Sequence, residues 1–173
     1  MKPAHIFLLF FFPANPLLAQ IVPSFTGETL KNKTISIPED TRGNYTFICF
    51  ATSTKAQREL ETWMDPVYNK FIAKTGVMDE LYDVNIYFIP VFRGADAAMM
   101  ETVKRRFNES AQEDVKGHVL FCKGDLSQVT EALGINDDHT PYFFLLNSEG
   151  KIIYQTSGIY SEEKFDAIDE LIE

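Results

Sequence analysis

The clearest succession of secondary-structure signals lies in residues 119–158, VLFCKGDLSQVTEALGINDDHTPYFFLLNSEGKIIYQTSG. Short apolar runs alternate here with turn residues, a pattern that predicts buried strands. These strands are predicted at His118–Cys122, Tyr142–Leu146 and Ile152–Thr156. Between the first two, Asp125 and Gly134 are placed to begin and end a short helix. The segment therefore predicts a strand, a short helix and an antiparallel hairpin, in that order.

The residues before this segment continue the alternation of strands and helices. Phe25–Leu30 and Thr34–Ile37 flank a Lys-Asn-Lys turn and predict a hairpin, and Tyr45–Phe50 (YTFICF) predicts a buried strand. Val84–Phe92 (VNIYFIPVF) is apolar on both faces, which is typical of a central strand covered by helices on both sides.

The strongest helical pattern follows the YTFICF strand. Apolar side chains recur at intervals of three and four residues, as on one face of an α-helix. They are Leu60, Trp63, Met64, Val67, Tyr68, Phe71 and Ile72. Gly76 is placed to stop this helix, and Pro66 inside it lacks a backbone N–H, so we expect a kink near Thr62–Pro66.

Two further helices complete the predicted order of elements. One buries Met99, Met100, Val103 and Phe107, and the other begins at Ser161 and buries apolar residues of the chain end. Helices alternating with strands predict an α/β fold with a central mixed sheet, flanked by helices on both faces and preceded by an N-terminal hairpin. We expect residues 20–173 to form this single domain.

The net charge excludes several classes of function. The 173 residues carry 25 acidic and 16 basic side chains, for a formal charge of −9. Such a chain offers no basic surface for a phosphate backbone, so neither nucleic acid nor an anionic membrane is an expected partner. The His and Cys residues form no cluster with the spacing of a metal site, and we expect neither a metal nor another cofactor.

Residues 1–19 have the features of a secretory signal peptide. Lys2 precedes the apolar run Ile6–Phe12, and Ala19 stands just before Gln20. The apolar run is too short to span a membrane, which takes about 20 apolar residues. We therefore expect cleavage after Ala19, export to a periplasm or secretion, and no membrane span in the mature chain.

The order of elements and several local motifs resemble the thioredoxin-like redoxins. Residues 119–158 are similar to the second half of these proteins: a small helix ending in Leu-Gly-Ile, Thr-Pro opening a Phe-rich strand, an Asn-x-x-Gly turn and a closing glycine. Val22, Pro23 and Phe25 resemble the entry segment of a redoxin. The resemblance covers nearly all of residues 20–173 and implies a thioredoxin-like fold.

The redox centre that this resemblance implies is missing. In redoxins, a context like Phe-x-Ala-Thr-x-Cys-x-x-Cys-Arg-Glu follows the strand that corresponds to YTFICF, whereas residues 50–60 here read FATSTKAQREL. Thr54 and Gln57 stand where the two cysteines belong. In the peroxiredoxin pattern Thr-x-x-Cys, Gln57 again replaces the cysteine. Disulfide exchange needs a thiolate, which neither side chain provides, so we expect no catalytic residues at these positions.

The two cysteines of the chain leave one enzymatic alternative open. Cys49 lies inside a predicted strand and Cys122 near the end of another, so we interpret both as small core residues. The alternative is an atypical thiol-disulfide oxidoreductase or peroxiredoxin-like enzyme that uses Cys122, with or without Cys49.

Thr140-Pro141 suggests a binding role. Its counterpart in redoxins contains a cis proline beside the redox site and exposes backbone for pairing with an extended peptide, so the resemblance implies a cis bond here. We expect Thr54, Lys55, Gln57, Thr140 and Pro141 to form a groove for a protein or an extended peptide.

A second resemblance concerns the role of the protein. ETWMDP (61–66), KRRF (104–107) and TPYFFLLNSEGKI (140–152) resemble the cysteine-poor mitochondrial ATP synthase assembly-factor group. Together with the missing thiols, this resemblance implies a non-catalytic binding, assembly or chaperone-like module.

Overall fold

The computed structural model describes residues 20–92, 98–122 and 124–172. The strands are β1 (Phe25–Thr29), β2 (Thr34–Ile37), β3 (Tyr45–Ala51), β4 (Val84–Pro90), β5 (Leu120–Cys122), β6 (Tyr142–Leu146) and β7 (Ile152–Ser157). The helices are α1 (Thr54–Val67), α2 (Met100–Ser110), α3 (Ser127–Ala132) and α4 (Glu162–Ile172). The predicted order of elements is confirmed. The predicted signal peptide lies outside the described residues.

The strands form a mixed sheet in two connected parts. One part has the order β4-β3-β6-β7 and the other β2-β1-β5, with β3 and β4 parallel and the other pairs antiparallel. A parallel bridge between Phe88 and Val119 connects β4 to the start of β5, and the Phe88 N–H donates to the His118 carbonyl at 2.7 Å. Counted through this bridge, β4 is the middle strand, as its two apolar faces predict.

Helices cover both faces of the sheet. Alternate residues of β3 point to opposite faces, so Phe47 and Cys49 pack in the core under α1 and α4, whereas Ile48 and Phe50 pack in the core under α3. α2 lies against β5, where Phe107 contacts Phe121 with ring centroids 6.3 Å apart. The predicted α/β layers are therefore confirmed.

α1 begins directly after β3 and continues through Pro66. Leu60, Trp63 and Val67 form its buried face, as their spacing predicts. The α-helical geometry persists to Val67 and then changes to a π-helical turn over Tyr68–Ile72. The departure from regular helix thus lies one turn later than the predicted kink. We find no helix in the described ranges that is long and apolar enough to cross a membrane.

Candidate functional site

The two positions at which the resemblance to redoxins implies thiols, Thr54 and Gln57, lie at the N-terminus of α1. Thr54 is the first residue of the helix, and Gln57 lies one turn further on. The Ser53 side chain caps the helix by accepting from the Ala56 N–H at 3.2 Å, and the Gln57 N–H donates to the Ser53 carbonyl at 2.9 Å. Thr54 is exposed and Gln57 half-buried, so both are accessible from outside.

Three loops meet beside this helix end. The hydroxyls of Thr52 and Ser53 both donate to the Asp138 carbonyl, the former at 3.3 Å. The Gly158 N–H donates to the Pro141 carbonyl at 3.0 Å. We call the surface formed by residues 52–55, 137–141 and 158–160 the loop surface.

Asp137 organises the middle loop. Its carboxylate accepts from the His139 N–H at 2.9 Å and from the Thr140 hydroxyl at 2.8 Å. These two hydrogen bonds, with a smaller contribution from the positive charge of Lys55, hold the pKa of the Asp137 carboxyl below its usual value. Lys55 and Thr140 are thus parts of one neighbourhood.

The predicted groove residues differ in how accessible they are. Lys55 and Thr54 are exposed, and Thr140 is half-buried with its hydroxyl bonded to Asp137. Pro141 is buried, so it supports the loop and does not present its ring to solvent.

The prediction of a cis bond at Thr140–Pro141 is wrong. The cis peptide bond that the structure contains among its described residues is Ile37–Pro38, at the end of β2. The loop before Pro141 turns through the hydrogen bonds that Asp137 accepts, and it enters β6 through a trans bond.

The two native cysteines belong to different parts of the core. Both are free and buried, Cys49 in the core under α1 and Cys122 in the core on the opposite face of the sheet. Burial raises the pKa of the Cys49 thiol well above its usual value and that of Cys122 to about 12. Their interpretation as small core residues is confirmed.

Both thiols are expected to resist modification in the folded protein. With a pKa of about 12, only about one Cys122 side chain in ten thousand is ionised at pH 8, and the thiolate is the reactive form. Titration with a chromogenic disulfide should detect no fast thiol in the native protein and both thiols in concentrated guanidinium chloride. Rapid reaction of either native thiol would restore the oxidoreductase alternative.

A cavity of about 280 Å³ also borders the α1 N-terminus. Thr54, Gln57 and Glu61 of α1 contribute its polar wall. The apolar wall comes from β4, the residues that follow it, and α2, and includes Phe88, Val91, Phe92, Met99, Val103 and Phe107. Thr54 and Gln57 therefore border the cavity, whereas Lys55, Thr140 and Pro141 do not line it.

The sequence interpretation missed the contribution of α2 to this cavity. Met99, Val103 and Phe107 were assigned to the core because they recur with helical spacing. None of the residues of α2, all of which the structure describes, is fully buried, and Met99 just before it is 54% exposed. The charged residues in the rest of this helix indicate that it is only partly buried. They do not indicate whether its apolar face packs in the core or lines a cavity.

No metal centre is formed by the described residues, since no group of three His, Cys, Asp or Glu side chains in those ranges could hold an ion.

A family model for ATP10 proteins matches residues 11–172. The chain belongs to the ATP10 family. This membership agrees with the predicted resemblance to the ATP synthase assembly-factor group. Among curated proteins, none matches the sequence significantly.

Solved structures similar to this ATP10 family member are thioredoxin-like. A putative thiol:disulfide interchange protein DsbE from Chlorobium tepidum is 17% identical, with a TM-score of 0.59 over 88% of this chain and 94% of that one. BsSco, of the Sco family of cytochrome c oxidase assembly proteins, is 16% identical, with a TM-score of 0.58 over 89% and 92%. StoA from Bacillus subtilis is 18% identical, with a TM-score of 0.57 over 86% and 98%. The predicted thioredoxin-like fold is confirmed.

Proposed function

We propose that this ATP10 family member is an exported, non-catalytic thioredoxin-like protein that binds a polypeptide at the loop surface during assembly of a protein complex. The observation that carries the proposal is the loop surface itself. Its three loops are joined by hydrogen bonds, while a hydroxyl and an amide occupy the two thiol positions, Thr54 and Gln57. Such a surface can hold a chain without exchanging disulfides with it.

The absence of an ionisable thiol near this surface weighs against the oxidoreductase alternative. Cys49 and Cys122 are buried in separate cores, and burial keeps both protonated at neutral pH. Neither can act as a nucleophile on a substrate held by Lys55 and its neighbours.

The assembly role follows from family membership and from the resemblance of ETWMDP, KRRF and TPYFFLLNSEGKI to ATP synthase assembly factors. BsSco supports it by analogy, because the same fold serves there in a family of cytochrome c oxidase assembly proteins. We therefore propose a subunit of the ATP synthase as the bound polypeptide.

The export part of the proposal rests on the N-terminal sequence. The apolar run Ile6–Phe12, with Ala19 before Gln20, has the features of a signal peptide cleaved after Ala19. The protein would then act in a periplasm, in a lumen or outside the cell.

Site-specific photo-crosslinking in cells tests the proposal. A benzophenone amino acid at Lys55, exposed on the loop surface, is expected to cross-link an ATP synthase subunit in a product that begins at Gln20. Glu163, exposed on α4, is the matched control position and should give no such product. Replacing His139 and Thr140 of the loop surface by Ala should weaken the cross-link from Lys55 several-fold, since a few central contacts carry most of a binding energy.

Two outcomes would contradict the proposal. Equal cross-linking from Lys55 and Glu163 would show that the loop surface has no preference for the partner. A product that retains residues 1–19 would contradict the export.

A further inference from the structure

The cavity beside α1 has an apolar floor and a polar mouth. Buried residues from β3, from β4 and from the position just before β5 form the floor, among them Ala51, Ile89 and Val119. Thr54 and Glu61 lie exposed at the mouth, with Gln57 half-buried between them. A ligand therefore meets hydrogen-bonding groups first and an apolar surface behind them.

The cavity is large enough to receive a large apolar side chain. Its volume is about 280 Å³. That is just below the range of about 300–1,000 Å³ that is usual for pockets of drug-sized ligands. Waters in a cavity with an apolar floor lack hydrogen-bond partners, so an apolar side chain displaces them favourably.

The charge at the mouth restricts what can accompany that side chain. Glu61 is the charged residue among the described residues that line the cavity, and the whole chain has a net charge of −9. An anionic ligand such as a fatty acid would meet a carboxylate at the entrance. A positively charged neighbour would be attracted there.

The cavity and the loop surface share residues. Thr52, Ser53 and Thr54 line the cavity, and the first two also donate to Asp138 across the loop surface. A chain lying on the loop surface therefore passes the mouth of the cavity.

We propose that the cavity receives an apolar side chain, a leucine, methionine or phenylalanine, of the bound polypeptide, while an adjacent lysine or arginine of that polypeptide pairs with Glu61. This inference rests on the proposed function and adds to it the chemistry of the recognised segment.

Methyl NMR of the purified protein tests this inference. The probe is the capped peptide Gly-Ser-Leu-Lys-Ser-Gly, and the reporters are the ¹³C-labelled methyl groups of Met64 and Met99, which line the cavity. Met78 is an internal control, because it is exposed and lies in the segment before β4, at the opposite end of that strand. We expect the peptide to shift Met64 and Met99 and to leave Met78 unchanged.

Changes in the peptide separate the two parts of the proposal. Replacing its leucine by serine should weaken binding about tenfold or more, because the burial of one leucine side chain is lost. Replacing its lysine by glutamate should weaken binding about threefold, as for a partly exposed ion pair.

A charge exchange provides the matched control. The Glu61→Lys variant should reverse the preference, binding the glutamate peptide more tightly than the lysine peptide. The Asp65→Lys variant makes the same change of charge on exposed α1 surface outside the cavity and should keep the original preference.

The outcomes distinguish this inference from the proposed function. If the peptide shifts the ring proton signals of His139 on the loop surface, recorded on the same sample, but leaves the methyl signals of Met64 and Met99 unmoved, the cavity does not receive the side chain and the proposed function stands. Identical behaviour of Glu61→Lys and Asp65→Lys would overturn the role of Glu61. No shift at any residue would overturn both proposals.

Discussion

Thr54→Cys combined with Gln57→Cys is expected to convert the protein into a thiol-disulfide oxidoreductase. The two positions lie in the first turn of α1, directly after the Ser53 cap. The positive end of the helix lowers the pKa of a thiol there, from about 8.5 towards 7, which raises the thiolate fraction at neutral pH about tenfold. The double variant should reduce insulin disulfides more than about tenfold faster than the parent protein, measured by insulin precipitation with dithiothreitol as reductant.

A second cysteine pair on the same helix is the control. Arg58→Cys with Glu61→Cys has the same spacing but lies one turn further along α1, away from the helix N-terminus. It should show little activity. Equal rates for the two pairs, or no activity from the first pair, would contradict the assignment of Thr54 and Gln57 to the former redox positions.

Trp63→Ala should lower the free energy of unfolding by about 3–5 kcal/mol, as for other large aromatic side chains removed from a core. Trp63 is fully buried; its ring stacks on Phe143 with centroids 4.2 Å apart and meets Tyr160 edge to face at 5.5 Å. Its Nε1–H also donates to the Gly158 carbonyl at 2.9 Å, which ties the loop surface to α1. Urea denaturation followed by circular dichroism measures the change. Tryptophan fluorescence cannot be used, because Trp63 is the one tryptophan of the chain and the variant lacks it.

Trp63→Phe separates the two contributions. It keeps an aromatic ring in the core but removes the N–H donor, so it should cost less than the alanine variant and still loosen residues 158–160. Hydrogen exchange at those residues reports the loosening. A loss below about 1 kcal/mol for Trp63→Ala would contradict the central position of this side chain in the core.

The elements were predictable because they depend on local periodicity. The apolar run in Tyr45–Phe50 follows from burial of the strand on both faces, and the helical spacing from Leu60 to Val67 follows from burial of one helix face. The single bridge from Phe88 to Val119, which joins the two parts of the sheet, was not predictable. Pairing between strands distant in sequence depends on tertiary packing, which no local pattern contains.

The residues of the site were predictable only where redoxins have a residue of known chemistry at the same position. Thr54 and Gln57 could be located because a thiol is expected at those positions. The resemblance to redoxins implied a cis peptide bond before Pro141. The structure has its cis bond at Ile37–Pro38, where no motif in the sequence indicates one. The cavity was missed because an apolar face that lines a pocket and one that fills a core have the same spacing, as Val103 and Phe107 illustrate.

The path of β7 separates the start of the described chain from the loop surface. Residues 20–22 form hydrogen bonds with residues 150–152 at the N-terminal end of β7. Gly158 follows the C-terminal end of β7 and donates its N–H to the Pro141 carbonyl. Six strand residues span about 20 Å. A protein fused or immobilised through residue 20 would therefore present the loop surface outward, towards solution, without steric interference from the attachment.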